Sequence, residues 1–137
     1  MSSSTVALNL TISPEAIAVG HTAKNISLHC QPTGSKYSLV TFMQISKVSP
    51  DGSSTPLVEL IPGAQQPIYT DDSYLQRSSV AGDLDIGGQG HVYLEMVITK
   101  PVKADSGGYR CVLDYLHDVN GQTQPGKFSS DVQVSVA

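Results

Sequence analysis

The sequence predicts an all-β domain of two packed sheets joined by one disulfide, and three observations carry that expectation. Apolar residues recur at every second position along five segments, the period of half-buried strands. The only 2 cysteines fall on the inward positions of two different segments of this kind. Charged residues make up only 15% of the chain, while 12 glycines and 8 prolines punctuate it. That balance suits short strands joined by turns and disfavours long surface helices, which draw on Glu and Lys. At 137 residues the chain fits one domain, read as 5–137 behind an N-terminal extension of residues 1–4. Its 39% apolar content is enough for a real core.

The elements follow in order. Leu8, Leu10 and Ile12 point one way, with Asn9 and Thr11 the other. Ile26, Leu28 and Cys30 alternate with Asn25, Ser27 and His29. The segment from Leu39 to Val48 is apolar on both faces, which predicts a central strand whose outer face is covered by something. Val92, Leu94, Met96 and Ile98 form the next row, opposite Tyr93, Glu95 and Val97. Tyr109, Cys111 and Leu113 form another, and Val132, Val134 and Val136 the last. Turn signals separate them at Ser49-Pro50-Asp51-Gly52, Ile61-Pro62-Gly63, Gly87-Gly88 and Gln124-Pro125-Gly126. No stretch longer than about ten residues has helical periodicity.

Cys30 and Cys111 stand 81 positions apart. Inward cysteines on separate strands read as a bridge between two sheets. Closing a loop of that length stabilises the fold by about 4–5 kcal/mol on the chain-entropy account. A persistent disulfide implies an oxidising compartment, so the expected location is secreted or extracellular. The opening Met1-Ser2-Ser3-Ser4-Thr5 lacks the apolar stretch of a signal peptide, so a secreted protein would have had its signal removed.

The residues leading into the second cysteine, Asp105-Ser106-Gly107-Gly108-Tyr109-Arg110-Cys111, match D-x-G-x-Y-x-C. The pattern resembles that of the immunoglobulin superfamily. The resemblance implies a Greek-key sandwich with a tyrosine corner at Tyr109, whose hydroxyl bonds upstream backbone. It gives Gly107 the strand entry and Asp105 a basic partner at the opposite sheet edge, for which Arg77 is the candidate. The long span between cysteines resembles the variable or intermediate type, with extra C′ strands. Two departures stand out. There is no tryptophan to pack from strand C onto the disulfide. Phe42, 12 residues after Cys30, is one stand-in, and the competing register buries Leu39, Thr41, Met43 and Ile45 instead. Pro101 occupies a place where the family often has an aliphatic residue.

The tryptophan-less strand C, the opening Ile12-Ser13-Pro14-Glu15 and the cysteine spacing together resemble the N-terminal immunoglobulin domains of molluscan fibrinogen-related proteins. That resemblance implies a recognition module of a secreted innate-immune lectin, directed at pathogen or parasite glycoproteins or glycans. The alternative is the ectodomain of a receptor or adhesion molecule pairing through its C, F and G strands.

Charge narrows the partners. The formal charge is −4 with only 8 scattered Lys and Arg residues, which excludes a phosphate-binding surface and hence nucleic acid. No apolar run approaches the roughly 20 residues of a membrane helix. The expected partner is a protein or glycoprotein, with oligomerisation of a full-length protein left open. No cofactor is expected. His21, His29, His91 and His117 fit no catalytic or metal-ligand spacing, so the chain reads as a binding protein and not an enzyme.

Asn9-Leu10-Thr11 and Asn25-Ile26-Ser27 are N-glycosylation sequons with both asparagines outward. Asp83 and Asp85 have the i, i+2 spacing of calcium loops but lack the closing Glu, so the plainer reading is a turn. A weak cation site would need Asp114 and Asp118 gathered beside them. The end loops, about Gln31–Ser38, Pro62–Pro67 and Leu116–Lys127, are the expected binding end. Tyr37, Tyr115, His117, Asp118, Asn120 and Gln122 are the candidate contacts there, with Asn120-Gly121 at the tip of the last loop. The rival surface is the outer face of strands C, F and G, drawn from Val40, Phe42, Met43, Val112 and Tyr115.

Overall fold

The computed structural model describes residues 7–13, 16–17, 25–33, 39–84 and 92–136. Its strands are β1 (Ala7–Ser13), β2 (Ala16–Ile17), β3 (Ile26–Thr33), β4 (Leu39–Val48), β5 (Ser54–Leu60), β6 (Ile68–Tyr69), β7 (Ser78–Asp83), β8 (Tyr93–Ile98), β9 (Gly107–Val119) and β10 (Gln122–Val136). The only helical pieces described are two short 3-10 turns, Asp72–Tyr74 and Lys103–Asp105. Among the described residues no helix is long and apolar enough to cross a membrane.

The strands form a four-stranded sheet in the order β1-β3-β8-β7 and a six-stranded sheet in the order β2-β10-β9-β4-β5-β6. All pairings are antiparallel except β2 with the end of β10, where Ala16 and Ile17 run parallel to Ser135 and Val136. The chain crosses between sheets after β1, β2, β3, β6 and β8, giving an immunoglobulin-like Greek-key sandwich of variable type.

The alternation seen in the sequence faces the two sheets toward each other. Ile26, Leu28 and Cys30 of β3 and Leu94, Met96 and Ile98 of β8 are fully buried. Across from them lie Tyr109, Cys111 and Leu113 of β9, Met43 and Ile45 of β4, and Val134 and Val136 of β10. Each such aliphatic side chain contributes about 1.5–3 kcal/mol by leaving water. The Cys30–Cys111 disulfide joins the sheets through this core with a Cα–Cα distance of 6.2 Å.

Strand β4 departs from both registers open to it. Val40 is buried, Thr41 and Phe42 are half-buried, and Met43 and Ile45 are fully buried. The cause is a bulge: Val40 pairs with Tyr115 and Phe42 with Asp114, which leaves Thr41 as the extra residue. One added residue switches the alternation from even to odd positions. Phe42 therefore does not take the missing tryptophan's place; Met43 and Ile45 are the core residues, Ile45 being paired with Cys111.

Two expected loops are also different. Leu116–Lys127 is a continuous two-stranded ribbon paired up to Val119 and Gln122, with only Asn120-Gly121 as the connection. Both turn residues have positive φ (51° and 80°), the geometry that matches the strands' own twist. Gln124-Pro125-Gly126 is thus strand and not turn, with Pro125 paired to Leu116. Proline is tolerated because this stretch of β10 has β9 on one side only, so no ladder bond is lost on its other edge. The turns at 49–52 and 61–64 form as expected, closed by Gly52 N–H to Ser49 O (2.9 Å) and Ala64 N–H to Ile61 O (3.2 Å). Gly87-Gly88 lies outside the described residues.

Candidate functional site

The motif residues around Tyr109 build a scaffold corner. The Tyr109 hydroxyl donates to the Asp105 carbonyl at 2.6 Å. The Asp105 carboxylate, on a residue 2% exposed, accepts from Val102 N–H at 2.8 Å and from the Arg77 guanidinium. Arg77 also lies over the Tyr74 ring, 5.1 Å from its centroid. Burial pushes the phenols of Tyr109 and Tyr74 up, and Asp105 adds to both shifts. The hydrogen bond to Asp105 pushes Arg77 up in turn. Gly107, at φ 129°, leaves the space into which Lys47 reaches to donate to Ser106 O at 2.9 Å. Tyr109, Arg77 and Val102 all bond Asp105, so the corner ties β9 to the opposite sheet edge.

The two outer faces differ in character. On the four-stranded sheet, Ser27, His29 and Gln31 alternate with buried residues, alongside Tyr93 and Glu95. His29 meets Glu95 at 3.2 Å and Gln31 at 3.3 Å, and its ring stacks on Tyr93 at 5.7 Å. Asn25 is exposed just before β3, and the Asn9 backbone pairs with Gln31, its side chain lying outside the described set. This face is mainly polar, with Val97 half-buried among its outer positions, and the exposed Asn25 of one sequon stands at the start of β3.

On the six-stranded sheet the outer positions run in rows across β4, β9 and β10. Leu39, Leu116 and Pro125 form one row, then Phe42, Asp114 and Lys127, then Gln44, Val112 and Ser129, then Ser46, Arg110 and Asp131. Leu39, Phe42, Val112 and Leu116 are half-buried. Ile68 of β6 is 46% exposed on the same face. Some polar groups here are paired: Gln44 donates to Glu59 at 2.7 Å, and Arg110 makes two bonds to Asp131 at 2.8 and 3.0 Å. The bonds from Arg110 hold the Asp131 carboxyl below the usual carboxylate range.

Asp114 is different. Its Oδ1 is shielded from solvent and makes no hydrogen bond, and the Lys127 ammonium stands 3.8 Å away. Beside it an open depression of about 450 Å³ is walled by Thr41, Leu116, Pro125, Gly126 and Lys127. Thr41, the bulged residue, donates weakly to the Asp114 carbonyl at 3.4 Å.

Several expected contacts fall elsewhere. Tyr115 is 9% exposed and stacks on Phe128 at 5.5 Å, so most of its ring belongs to the core, while its edge lines the depression beside Asp114. Its ring lies over Gly126, where a Cβ would overlap it. Val40 and Met43 likewise point inward, leaving Phe42 and Val112 from the set proposed for the outer face. Asn120 and Gln122 are exposed at the hairpin tip. His117 and Asp118 have their backbones in β9, with side chains outside the described set, and Tyr37, Asp85, His21 and His91 lie outside the described residues. Of the four carboxylates of the cation site, Asp85 and the Asp118 side chain lie outside the described set, and Asp83 and Asp114 are not brought together. Asp83 is exposed on the outer face of one sheet and Asp114 sits on the outer face of the other, with the core between them. Among the described residues no group of three or more His, Cys, Asp or Glu side chains is placed to hold a metal.

Sequence reasoning missed the row that joins Phe42, Asp114 and Lys127. The alternation of β9 already put Asp114 on the outward phase, but the bulge that brings Thr41 and Phe42 beside it carries no sequence signature. No protein-family model matches the chain. No curated protein matches it either.

Proposed function

We propose that this chain is a non-catalytic recognition module of the immunoglobulin superfamily, binding a protein or glycoprotein through the outer face of β4, β9 and β10. The observation that carries this reading is the group Leu39, Phe42, Val112 and Leu116, half-buried on that face. Contiguous apolar surface rimmed by polar residues marks a contact site on soluble proteins. The sequon asparagine Asn25 is exposed beside the opposite sheet, so sugar attached there would leave this face accessible. The disulfide fits a secreted or cell-surface setting.

Innate-immune recognition within a secreted lectin rests on the sequence resemblance to molluscan fibrinogen-related proteins. The test is binding of the folded domain to arrayed microbial and parasite glycoproteins. Binding lost in Val112→Glu but kept in the tip variant Gln122→Ala supports the face; loss in the tip variant alone overturns it. Receptor or adhesion pairing is the second reading, favoured by the same apolar rows. Sedimentation that shows concentration-dependent dimers, abolished by Phe42→Glu, would establish it in place of the first.

A further inference from the structure

We propose that the depression beside the Thr41 bulge is a receptor pocket for a basic side chain, arginine or lysine, of a protein partner. The inference rests on the reading of this outer face as the binding surface and deepens it. Three features fit that occupant. The Asp114 side chain, 36% exposed, lines the depression, and its Oδ1 has no hydrogen-bond donor. A carboxylate whose resident cation stands beyond hydrogen-bond length gains a charge-assisted bond from a donor that arrives with a partner. The approach to it is walled by Leu116 and Pro125. Arginine and lysine carry an aliphatic stem behind a charged head, so an apolar wall leading to a carboxylate matches both parts.

The third feature is charge. The chain carries a net −4, so a basic group is drawn toward it. Lys127 is the resident cation, but its ammonium is 3.8 Å from Oδ1, beyond hydrogen-bond length, and its side chain is 69% exposed. It is loosely held and can swing into solvent when a partner's donor enters. At about 450 Å³ the depression admits one long side chain.

The test is an NMR titration of the intact chain with Nα-acetyl-arginine methylamide, with the norleucine analogue as uncharged control. The expected result is saturable shifts at the amides of 114–116 and 126–127, in the millimolar range of a single side chain. Asp114→Asn should weaken binding about tenfold, the loss of one charge-assisted hydrogen bond. Lys127→Gln, at an exposed position, should tighten binding by removing the competing cation. No saturation at these amides, equal binding by the norleucine analogue, or no effect of either substitution overturns the pocket. Glycoprotein binding lost in Val112→Glu but kept in Asp114→Asn overturns the pocket and leaves the face reading standing. Glycoprotein binding indifferent to Val112→Glu overturns the face reading, and the arginine titration then decides the pocket alone.

Discussion

Tyr109 shows how one side chain holds this fold. Its hydroxyl reaches the Asp105 carbonyl while its ring is fully buried. Tyr109→Phe removes the donor and leaves the carbonyl under-satisfied, so urea unfolding should show a loss of about 1–2 kcal/mol. The same burial sets a pH dependence. The phenol titrates higher in the folded state than the usual value of about 10. Its stabilising contribution is complete below that value and is lost as pH rises above it, because only the unfolded chain releases the proton. Stability should therefore fall at alkaline pH, and Tyr109→Phe should flatten the decline. Asp105 is nearly inaccessible, so Arg77→Met strands a carboxylate with Val102 N–H as its remaining charge-stabilising bond. The cost should be about 3 kcal/mol, the low end for a broken buried pair because Arg77 is itself 34% exposed.

At the scale of elements, the β9–β10 hairpin is the part that sequence signals described least well. Asn120-Gly121 announced a tight turn, and Pro125-Gly126 imitated a second one. The structure makes both residues of the second signal part of β10. Gly126 is there because the Tyr115 ring folds across its backbone and on to Phe128, which fills the glycine's missing side chain with an aromatic neighbour. Gly126→Ala should displace that ring and cost about 1–3 kcal/mol, read from thermal or urea unfolding, with the Tyr115 and Phe128 resonances shifting most. Pro125 and the charged Lys127 also blunt the open edge of β10 against pairing with other chains.

For the whole molecule, the bridge between sheets is the longest-range constraint. Reduction of Cys30–Cys111 opens a loop of 81 residues and should lower stability by about 4–5 kcal/mol on the chain-entropy account. Urea unfolding with and without reductant measures it directly. The two faces of the sandwich then divide the labour. One presents His29, Gln31 and Glu95 in a self-bonded polar cluster, and the other presents apolar rows around the under-satisfied Asp114. That asymmetry is what gives the recognition reading a direction.

Much of this was legible in the chain itself. The period-two rows of Ile26–Cys30, Val92–Ile98 and Tyr109–Leu113 determined both the strands and their inward faces, because a strand's side chains alternate whatever its partners. The two inward cysteines determined that the sheets are bridged. What only the tertiary structure decided was the phase of β4 and the company of Asp114. A bulge is a property of two paired strands, so neither Thr41 nor its neighbours could announce it. Asp83 and Asp114 looked alike as carboxylates near the same end of the fold, yet they face outward from opposite sheets. Sequence spacing orders residues along a strand, and only the packing of one sheet on another says which of them can meet.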